Sequence, residues 1–304
     1  MKLAIFWLSY LWFPFVLFAI WILWRSKQTY LRAAVALLLL ASLPLAWGRF
    51  VEPRLLLVNE THVDMPAYPG SEDQVRIALF ADTHIGLFAN AHSMERLVDE
   101  IENLSVDAVF LAGDLLYEIA PDRIEQTVAP LSDLSIPTFV VRGNHDIGAP
   151  GPDYGPLLWD ALVETGVTLV ENRSFETEIG GRQVLVVGTS DLWQRDQTPR
   201  VRFDSPPETP VLLLTHNPDL ALSVPEDVHF DLLLAGHTHG GQIRLPFLTR
   251  YAIPTEYPFD SGLHTLPNGR QVFVTAGTGM VGLPMRFGRP PRIDVLTLDF
   301  AVED

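Results

Sequence analysis

The sequence predicts an α/β domain that follows a membrane anchor. From about residue 75 onward, short apolar runs rich in β-branched residues alternate with stretches of helical periodicity, which is typical of α/β domains. Before residue 50 the chain is almost continuously apolar, and all 37 acidic residues come after Val51. We therefore divide the chain into an anchor at residues 1–50, a linker at 51–74 and the α/β domain at 75–304.

The anchor contains one segment that is long enough to cross a bilayer and a second that is shorter. Leu3 to Trp24 runs for 22 residues without a charge, and at about 1.5 Å per residue it spans about 33 Å, against about 30 Å for a hydrocarbon core. It is also longer than the apolar part of a signal peptide. Ala33 to Gly48 can cross only if the arginines at its ends reach outward. One or two transmembrane helices are therefore expected.

Positive charge between the two segments sets the expected orientation. Arg25, Lys27 and Arg32 place the short loop in the cytoplasm by the positive-inside rule. The α/β domain would then lie outside the cytoplasm. If Ala33 to Gly48 lies flat on the membrane instead, the domain would be on the cytoplasmic face.

Composition excludes several kinds of chemistry. The chain has no cysteine, so disulfides, thiolate zinc sites and a cysteine nucleophile are excluded. The formal net charge is −16, and a groove for nucleic acid would need the opposite sign. We therefore expect no nucleic-acid partner.

Eight apolar runs are predicted to be strands, with helices between some of them. Ser93 can cap a helix, and Pro156 can begin another. The predicted strands start at Val75, Asp107, Pro137, Arg182, Pro210, Phe230, Gln271 and Arg292.

Polar clusters follow five of these strands. Loops at the carboxyl ends of strands in an α/β sheet converge on one crevice, so clusters far apart in sequence can meet there. Glycines around His237 and His239 let the backbone turn sharply and approach a bound group. The five clusters are DTHIG from Asp82, GD at 113–114, GNHD at 143–146, TH at 215–216 and GHTH at 236–239.

The residue types in these clusters fit a site for two divalent cations. Two such ions about 3.5 to 4 Å apart need a bridging carboxylate with imidazole or amide ligands on each side. Nitrogen and oxygen donors without thiolate suit manganese, iron or zinc better than calcium or copper(I). The candidate metal ligands are Asp82, His84, Asp114, Asn144, His216, His237 and His239.

In this order the clusters resemble the motifs of the calcineurin-like metallophosphoesterase superfamily, D-x-H, G-D, G-N-H-[DE], H and G-H-x-H. The resemblance runs from about Arg76 to Phe300 and implies a two-sheet sandwich flanked by helices. It also implies two divalent metal ions, with manganese favoured. One ion would be held by Asp82, His84 and His239, the other by Asn144, His216 and His237, and both by Asp114.

The resemblance further implies catalytic roles for two residues. His145 would contact the phosphate and protonate the leaving oxygen, and Asp146 would orient the ring of His145. A metal-bound hydroxide would attack phosphorus. Many relatives carry an acidic residue where this chain has Tyr117, a departure that affects the surroundings of the ligands but not the ligand set.

Among the members of the superfamily, the chain is similar to bacterial enzymes with amino-terminal membrane segments. Some of these cleave UDP-2,3-diacylglucosamine, and others are phospholipid phosphodiesterases. The implied activity is hydrolysis of a phosphodiester or pyrophosphate bond in a membrane lipid or lipid-linked nucleotide, at the bacterial inner membrane. The alternatives are an anchored enzyme for a soluble phosphorylated substrate and a non-catalytic metal-binding scaffold, and the complete ligand set argues against the scaffold.

Several other features of the sequence are open to two interpretations. Phe247, Tyr251, Tyr257 and Phe259 could form a wall for an acyl chain or pack in the core. Gly277 to Gly282 spells the dinucleotide pattern G-x-G-x-x-G, but the prolines that follow forbid the required helix, so a loop beside the crevice is expected. Arg286 in that region would reach a phosphate or be solvated. The remaining histidines, His62, His92, His229 and His264, are expected at the surface.

Overall fold

The computed structural model describes residues 1–68, 74–88, 92–194, 203–204, 206, 208–245, 249 and 253–300. It begins with two long helices that pack as a hairpin. Helix α1 (Lys2–Leu8) continues through a 3₁₀ turn into α2 (Trp12–Arg25), and α3 (Thr29–Ala46) continues through a π-helical turn, Trp47–Val51, and a further 3₁₀ turn. Trp12 Nε1 donates a hydrogen bond to Ser42 Oγ at 3.0 Å across the hairpin.

Both helical stretches, Lys2–Arg25 and Thr29–Arg54, are long and apolar enough to cross a membrane. The second is 26 residues long. It extends beyond the predicted segment, Ala33 to Gly48, at both ends. The apolar run from residue 33 to 48 alone understated its length. Most of the large apolar side chains of the two stretches face outward, as Trp7, Leu17 and Leu37 do.

The α/β domain is a sandwich of two six-stranded sheets, as the sequence predicted. The first sheet has the spatial order β1 (Leu57–Met65), β14 (Arg292–Phe300), β2 (Gln74–Phe80), β4 (Ala108–Ala112), β6 (Thr138–Val141) and β7 (Thr168–Leu169). The second has the order β12 (Gly262–Thr265), β13 (Gln271–Val274), β11 (Leu232–Ala235), β10 (Val211–Leu214), β9 (Arg182–Gly188) and β8 (Arg173–Ile179). A short pair, β3 (Ile85–Gly86) and β5 (Leu116–Tyr117), lies beside the first sheet.

Alternation along the strands divides the apolar side chains between three layers. In β2, Ile77 and Leu79 point into the core between the sheets, whereas Ala78 and Phe80 point to the helices that cover the first sheet. Those helices are α4 (Met94–Glu102), α5 (Ile124–Val128) and α6 (Gly155–Glu164). The outer face of the second sheet is covered by a 3₁₀ helix, Pro218–Leu222, and nearby loops.

Local signals placed the two predicted helices correctly. Ser93 Oγ accepts a hydrogen bond from the Arg96 backbone N–H at the start of α4. Helix α6 begins one residue before Pro156 and is followed by Gly166, whose φ is +80°. The stretch from Gly277 to Gly282 contains no helix, as its prolines predicted.

The prediction of a linker at residues 51–74 requires correction. Residues 57–65 form β1, which pairs in parallel with β14 from Leu57 opposite Arg292 to Met65 opposite Phe300. Their sequence, LVNETHVDM, was missed because polar residues occupy the face turned away from the core, while Val63 and Met65 are buried. The chain between the anchor and the domain is thus short and structurally fixed.

One prediction of a surface residue requires correction, and one of the open interpretations is decided by the structure. His92 is buried, with 3% of its surface exposed, beside the backbone of Pro53 at the end of the anchor. Of the two interpretations of the aromatic segment, packing in the core holds for Phe259, which is fully buried, and for Tyr257, which packs against the same apolar cluster on the second sheet. Phe247 and Tyr251 lie outside the described residues.

Candidate metal centre

The seven predicted ligands lie together at the carboxyl ends of five strands. Each follows the last residue of its strand by two to four positions, on β2, β4, β6, β10 and β11. All seven are buried, with 6% or less of their surface exposed. The convergence expected from the strand ends is thus observed.

Five of the seven residues have left-handed backbone conformations. This conformation is uncommon for residues other than glycine and costs about 1 to 3 kcal/mol where it is held by its surroundings. It turns each side chain from the end of its strand back over the edge of the sheet. The five residues and their φ angles are Asp82 (53°), His84 (44°), Asp114 (55°), His237 (71°) and His239 (52°).

The first group of donors contains Asp82, His84 and His239. The Nε2 atoms of His84 and His239 are 3.0 Å apart, and their rings are stacked with an interplanar angle of 10°. Asp82 Oδ1 lies 3.4 Å from His239 Nε2 and 3.9 Å from His84 Nε2. The three donor atoms lie within 4.8 Å of one another and could hold one ion; the family resemblance implied the same grouping.

The second group contains Asn144, His216 and His237. Asn144 Oδ1 lies 3.1 Å from His216 Nε2 and 2.9 Å from His237 Nδ1, and the two histidine nitrogens are 3.2 Å apart. His216 Nδ1 lies 2.7 Å from the carbonyl oxygen of Ala112, a contact that leaves Nε2 free to bind a cation when Nδ1 carries the proton.

Asp114 lies between the two groups. Its Oδ2 atom is 3.2 Å from His216 Nε2 in one group and 3.5 Å from His84 Nε2 in the other. Its Oδ1 atom accepts a hydrogen bond from the His145 backbone N–H at 2.8 Å. This is the position that a carboxylate bridging two cations requires.

The spacing of the donor atoms fits divalent cations. Two ligands at about 2.1 Å from one ion are about 3.0 Å apart at a right angle and about 3.4 Å apart at a tetrahedral angle. The distances of 3.0 and 3.4 Å in the first group, and of 2.9 to 3.2 Å in the second, match this range. The 3.9 Å between Asp82 Oδ1 and His84 Nε2 is longer and corresponds to a wider angle of about 135° at the ion. A hydrogen bond between two neutral imidazole nitrogens needs one nitrogen that carries the proton and one that does not. Such bonds could therefore account for only one of these close pairs at a time.

Burial keeps most of these imidazoles unprotonated. It lowers the pKa of His84 to about 3 and that of His237 to about 3, and it holds the pKa of His239 well below its usual value. Neutral imidazoles are the form that binds metal. These three rings therefore present lone pairs to the site.

The two buried carboxylates require positive charge. Burial raises the pKa of Asp82 to about 7, since water cannot solvate its charge. Burial opposes charge on Asp114 and on His216 as well. The attraction between the Asp114 carboxylate and the His216 imidazolium outweighs this effect, so the pKa of Asp114 lies below its usual range and the pKa of His216 lies well above its usual value. Divalent cations at the centre would supply the charge that the carboxylates need.

Gly143 and Gly236 allow the ligand loops to approach one another. A Cβ atom on Gly143 would overlap Asp114 Oδ1 and the Asp114 backbone nitrogen. A Cβ atom on Gly236 would lie 2.5 Å from the side chain of Ala81 and 2.8 Å from Asp82 Oδ2. The glycines in the G-N-H-D and G-H-T-H clusters are therefore needed for close packing of the ligands.

The ring of His145 lies at the edge of the centre. It is half-buried, makes edge-on contacts with the rings of His84 and Tyr117 at centroid distances of 5.1 Å, and lines an open crevice of about 360 Å³. Asp114, Asn144, His237 and His239 line the same crevice. The crevice therefore joins the ligands to the predicted proton donor.

The carboxylate of Asp146 makes its hydrogen bonds to backbone N–H groups and none to the ring of His145 in the described part of the chain, so its predicted role in orienting that ring requires correction. Its carboxylate accepts hydrogen bonds from the backbone N–H groups of Gly143, Leu115 and Leu116 at 2.9, 3.2 and 3.0 Å. These bonds tie the loop after β6 to the loop that carries Asp114. Asp146 therefore fixes the backbone around the bridging carboxylate.

Arg286 supports the centre from behind, a role that the sequence analysis missed. It is fully buried and donates hydrogen bonds to the carbonyl oxygens of Gly279, Ala276 and Arg289 at 2.7, 3.0 and 3.1 Å. Its Nη2 atom lies 3.4 Å from His239 Nδ1. Neither expected placement, at a phosphate or in solvent, is correct, because three carbonyl oxygens of its own loop surround the guanidinium.

Two further residues at the site follow β9, whose end the sequence analysis did not examine for polar residues. Asp191 is buried, and its pKa is raised to about 6 by that burial. The ring of Trp193 lies edge-on to His237 at 4.6 Å and lines the crevice. The polar stretch Thr189 to Asp191 after a strand is the same signal that identified the other five clusters.

The anchor helices contact the domain next to the crevice. Lys2 Nζ lies 2.5 Å from Glu118 Oε1 and 4.6 Å from the centre of the Tyr117 ring, which packs against His145. Phe6 is buried and stacks on Phe88 at 5.9 Å. The first turn of the anchor is therefore connected to the edge of the metal centre by two successive contacts, that of Lys2 with the Tyr117 ring and that of the Tyr117 ring with His145.

Comparison with known proteins points to one family. The profile of the calcineurin-like phosphoesterase family matches residues 75–241. The metallophosphoesterase YkuE of Bacillus subtilis (strain 168) is 28% identical over 83% of this chain and 88% of its own length. Phosphodiesterase YaeI of Escherichia coli (strain K12) is 30% identical over 73% of this chain and 82% of its own. A transmembrane protein with a metallophosphoesterase domain from Danio rerio is 27% identical over 79% of this chain and 57% of its own.

Proposed function

The chain belongs to the calcineurin-like phosphoesterase family and is a metal-dependent phosphoester hydrolase, and we propose that it cleaves a phosphodiester or pyrophosphate bond in a membrane lipid or a lipid-linked nucleotide. UDP-2,3-diacylglucosamine is one candidate of the second kind. The observation that supports a lipid substrate most directly is the contact of Lys2 with the Tyr117 ring. It brings the start of the membrane anchor to the edge of the crevice.

We assign the seven clustered residues to two divalent cations, with manganese favoured over iron and zinc. When bound, the cations would lower the pKa of a water molecule that serves as nucleophile and would neutralise charge on the phosphoryl oxygens. The chain contributes the fixed arrangement of donors. It also excludes bulk water from them, since all seven side chains are buried.

His145 is assigned the role of proton donor to the leaving oxygen. Its ring lies in the crevice beside the ligands and has no ligand role of its own. Its pKa is lowered by burial, although the Asp114 carboxylate opposes this effect, and a phosphate group in the crevice would strengthen the opposing effect. Tyr117 holds one edge of the ring.

Residues 1–50 are assigned to the anchor, and residues 75–304 together with the edge strand β1 are assigned to the catalytic domain. The hairpin adjoins the domain at one end, where Lys2 and Arg54 lie. The loop that carries Arg25 and Lys27 is at the other end of the hairpin. The charge of that loop favours its placement in the cytoplasm. The catalytic domain would then face outward from a bacterial inner membrane.

The activity is tested with full-length protein purified in detergent. Hydrolysis of bis-p-nitrophenyl phosphate with added manganese measures phosphodiesterase activity, and a screen of extracted lipids and UDP-sugars, read by released phosphate or nucleotide, identifies the substrate. Faster turnover of a lipid than of its water-soluble headgroup analogue supports the proposal. Turnover of soluble substrates alone would replace it with an anchored enzyme for a soluble ester.

The topology is tested with single cysteines, because the natural chain has none. Lys27→Cys lies in the loop between the helices and Glu125→Cys on the surface of the domain, and both side chains are exposed. A membrane-impermeant maleimide applied to intact spheroplasts should label the second and not the first. The reverse pattern would place the catalytic domain in the cytoplasm.

A further inference from the structure

A second cavity lies between the anchor helices and the loop that follows the glycine-rich stretch. Its volume is about 240 Å³. Ile5, Trp12 and Leu45 form the walls on the helical side, and Leu283 to Met285 close it on the side of the domain. Its walls are thus almost entirely apolar.

This cavity is adjacent to the catalytic crevice. Leu283 lines both, and Val281 and Gly282 precede it in the wall of the crevice. Leu283 is 41% exposed, so its side chain is not packed into the core. One elongated molecule could therefore occupy the metal centre and the cavity together by passing this leucine.

The cavity also contains a buried cation with an unused donor. Arg49 is 8% exposed, donates from Nε to Ser9 Oγ at 2.9 Å, and lies 4.5 Å from the Phe6 ring and 5.0 Å from the Phe50 ring. The Tyr10 ring, 5.3 Å from the guanidinium, is a third aromatic ring against it, and the Tyr10 hydroxyl interacts with the guanidinium as well. Within the described part of the chain, the Nη2 atom of Arg49 has no hydrogen-bond partner. A buried donor of this kind requires an acceptor.

We propose that this cavity binds an acyl chain of the lipid substrate while the phosphate head of the same molecule lies at the metal centre, and that Arg49 Nη2 donates to an ester carbonyl oxygen between them. The proposal rests on the function proposed above and assigns the anchor a second role, as part of the substrate site. An acyl chain is the occupant that the walls fit, since they offer apolar contacts and a single buried donor. The cavity is also bounded by helices that would lie in lipid.

The test fills the cavity without touching the metal centre. Ala46 lines the cavity, so Ala46→Trp should block it. Ala41 lies on the same helix, is exposed and does not line the cavity, so Ala41→Trp makes the same chemical change outside it. Both variants are assayed with bis-p-nitrophenyl phosphate and with dioleoylphosphatidylglycerol in mixed micelles.

One methylene more or fewer in contact with a hydrophobic pocket changes selectivity by about 10- to 200-fold, and an indole ring in the cavity would displace several methylenes of an acyl chain. Ala46→Trp should therefore lower kcat/KM for the dioleoyl lipid at least about tenfold, with less than a twofold change for the soluble diester. Ala41→Trp should leave both unchanged. Equal turnover of the lipid by wild type and Ala46→Trp would overturn the inference while leaving the proposed function intact, whereas absence of turnover of every ester by the wild type would refute the proposed function itself.

A binding measurement covers the case in which Ala46→Trp does not fold. Native mass spectrometry of metal-free wild-type protein should detect one retained dioleoylphosphatidylglycerol per chain after delipidation and re-addition. Dibutyrylphosphatidylglycerol, which has the same head and very short chains, should compete at least about tenfold less well because fewer methylenes are buried. Equal competition by the two lipids would contradict an acyl-chain site.

Discussion

His145→Ala separates metal binding from proton transfer. The link between this residue and Asp114 is the backbone N–H of residue 145, which donates to Asp114 Oδ1 at 2.8 Å and remains in the variant. The ring itself contacts only the edges of His84 and Tyr117 among the rings of the site. The variant should therefore keep two metal ions per chain and lose turnover.

The size of the loss should depend on the leaving group. A positioned general acid contributes about 100- to 10,000-fold to the rate, which is about 3 to 5 kcal/mol of barrier. Protonation of the leaving oxygen is needed when that oxygen is a strongly basic alkoxide, and it is hardly needed for the weakly basic p-nitrophenolate. The kcat of His145→Ala should accordingly fall by about 1,000-fold for an alkyl phosphodiester and by far less for bis-p-nitrophenyl phosphate.

The assay measures kcat for both esters together with metal content by inductively coupled plasma mass spectrometry. His62→Ala is the control, since His62 is exposed and, among the described residues, forms an ion pair only with Asp299, at 2.8 Å. It should match the wild type in every measurement. Equal losses of kcat for the two esters would refute the role of His145 as an acid, and loss of metal from His145→Ala would refute its separation from the ligand set.

Three further substitutions test the construction of the centre. Asp114→Asn should bind fewer than two ions per chain and lose activity, because the amide offers one oxygen donor and no charge to two ions. Titration with manganese measures the number of ions bound. Full occupancy at the wild-type affinity would contradict the bridging position. Gly143→Ala should lower manganese affinity by at least about tenfold, since a methyl group there overlaps the Asp114 carboxylate. Gly181→Ala is the control: its φ of +83° makes an alanine there cost stability, but its Cβ would meet nothing within 4 Å, so Tm should fall while manganese affinity stays unchanged. Arg286→Met should lower the free energy of unfolding by about 3 kcal/mol, because three carbonyl oxygens lose a charged donor. Arg286→Lys should recover little of this stability. An unchanged Tm for Arg286→Met would show that the guanidinium is dispensable.

The sequence predicted the elements that are buried on both faces. β4 and β10 are runs of apolar residues, and every residue in each of them is buried. β1 and β8 were missed because only alternate positions carry apolar side chains and the rest are polar. Pairing with a distant strand, such as that of β1 with β14, decides whether such a segment is a strand, and local pattern does not reveal the partner.

The same limit applies to the metal centre. Polar clusters after apolar strands identified seven residues that the fold brings together, because strand direction fixes where each loop emerges. The side chains that support them were not predictable in the same way. Arg286 reaches His239 only because the loop from Ala276 to Arg289 wraps around its guanidinium. The direction in which Asp146 points depends on loop geometry that no spacing encodes.

The position of the anchor relative to the centre could not be predicted from the sequence either. The apolar segments indicated helices that could cross a membrane, but not the contact of Lys2 with Tyr117 or the cavity around Arg49. These contacts arise from the way the hairpin packs on the domain. They are the reason for connecting the anchor to the substrate.

The most direct test of the centre is anomalous diffraction from crystals of the full-length protein grown with manganese and measured at an energy just above the manganese absorption edge. We expect two peaks about 3.5 to 4 Å apart, one among Asp82, His84 and His239 and the other among Asn144, His216 and His237, with Asp114 in contact with both. A single peak, or two peaks of which neither contacts Asp114, would contradict the dinuclear assignment.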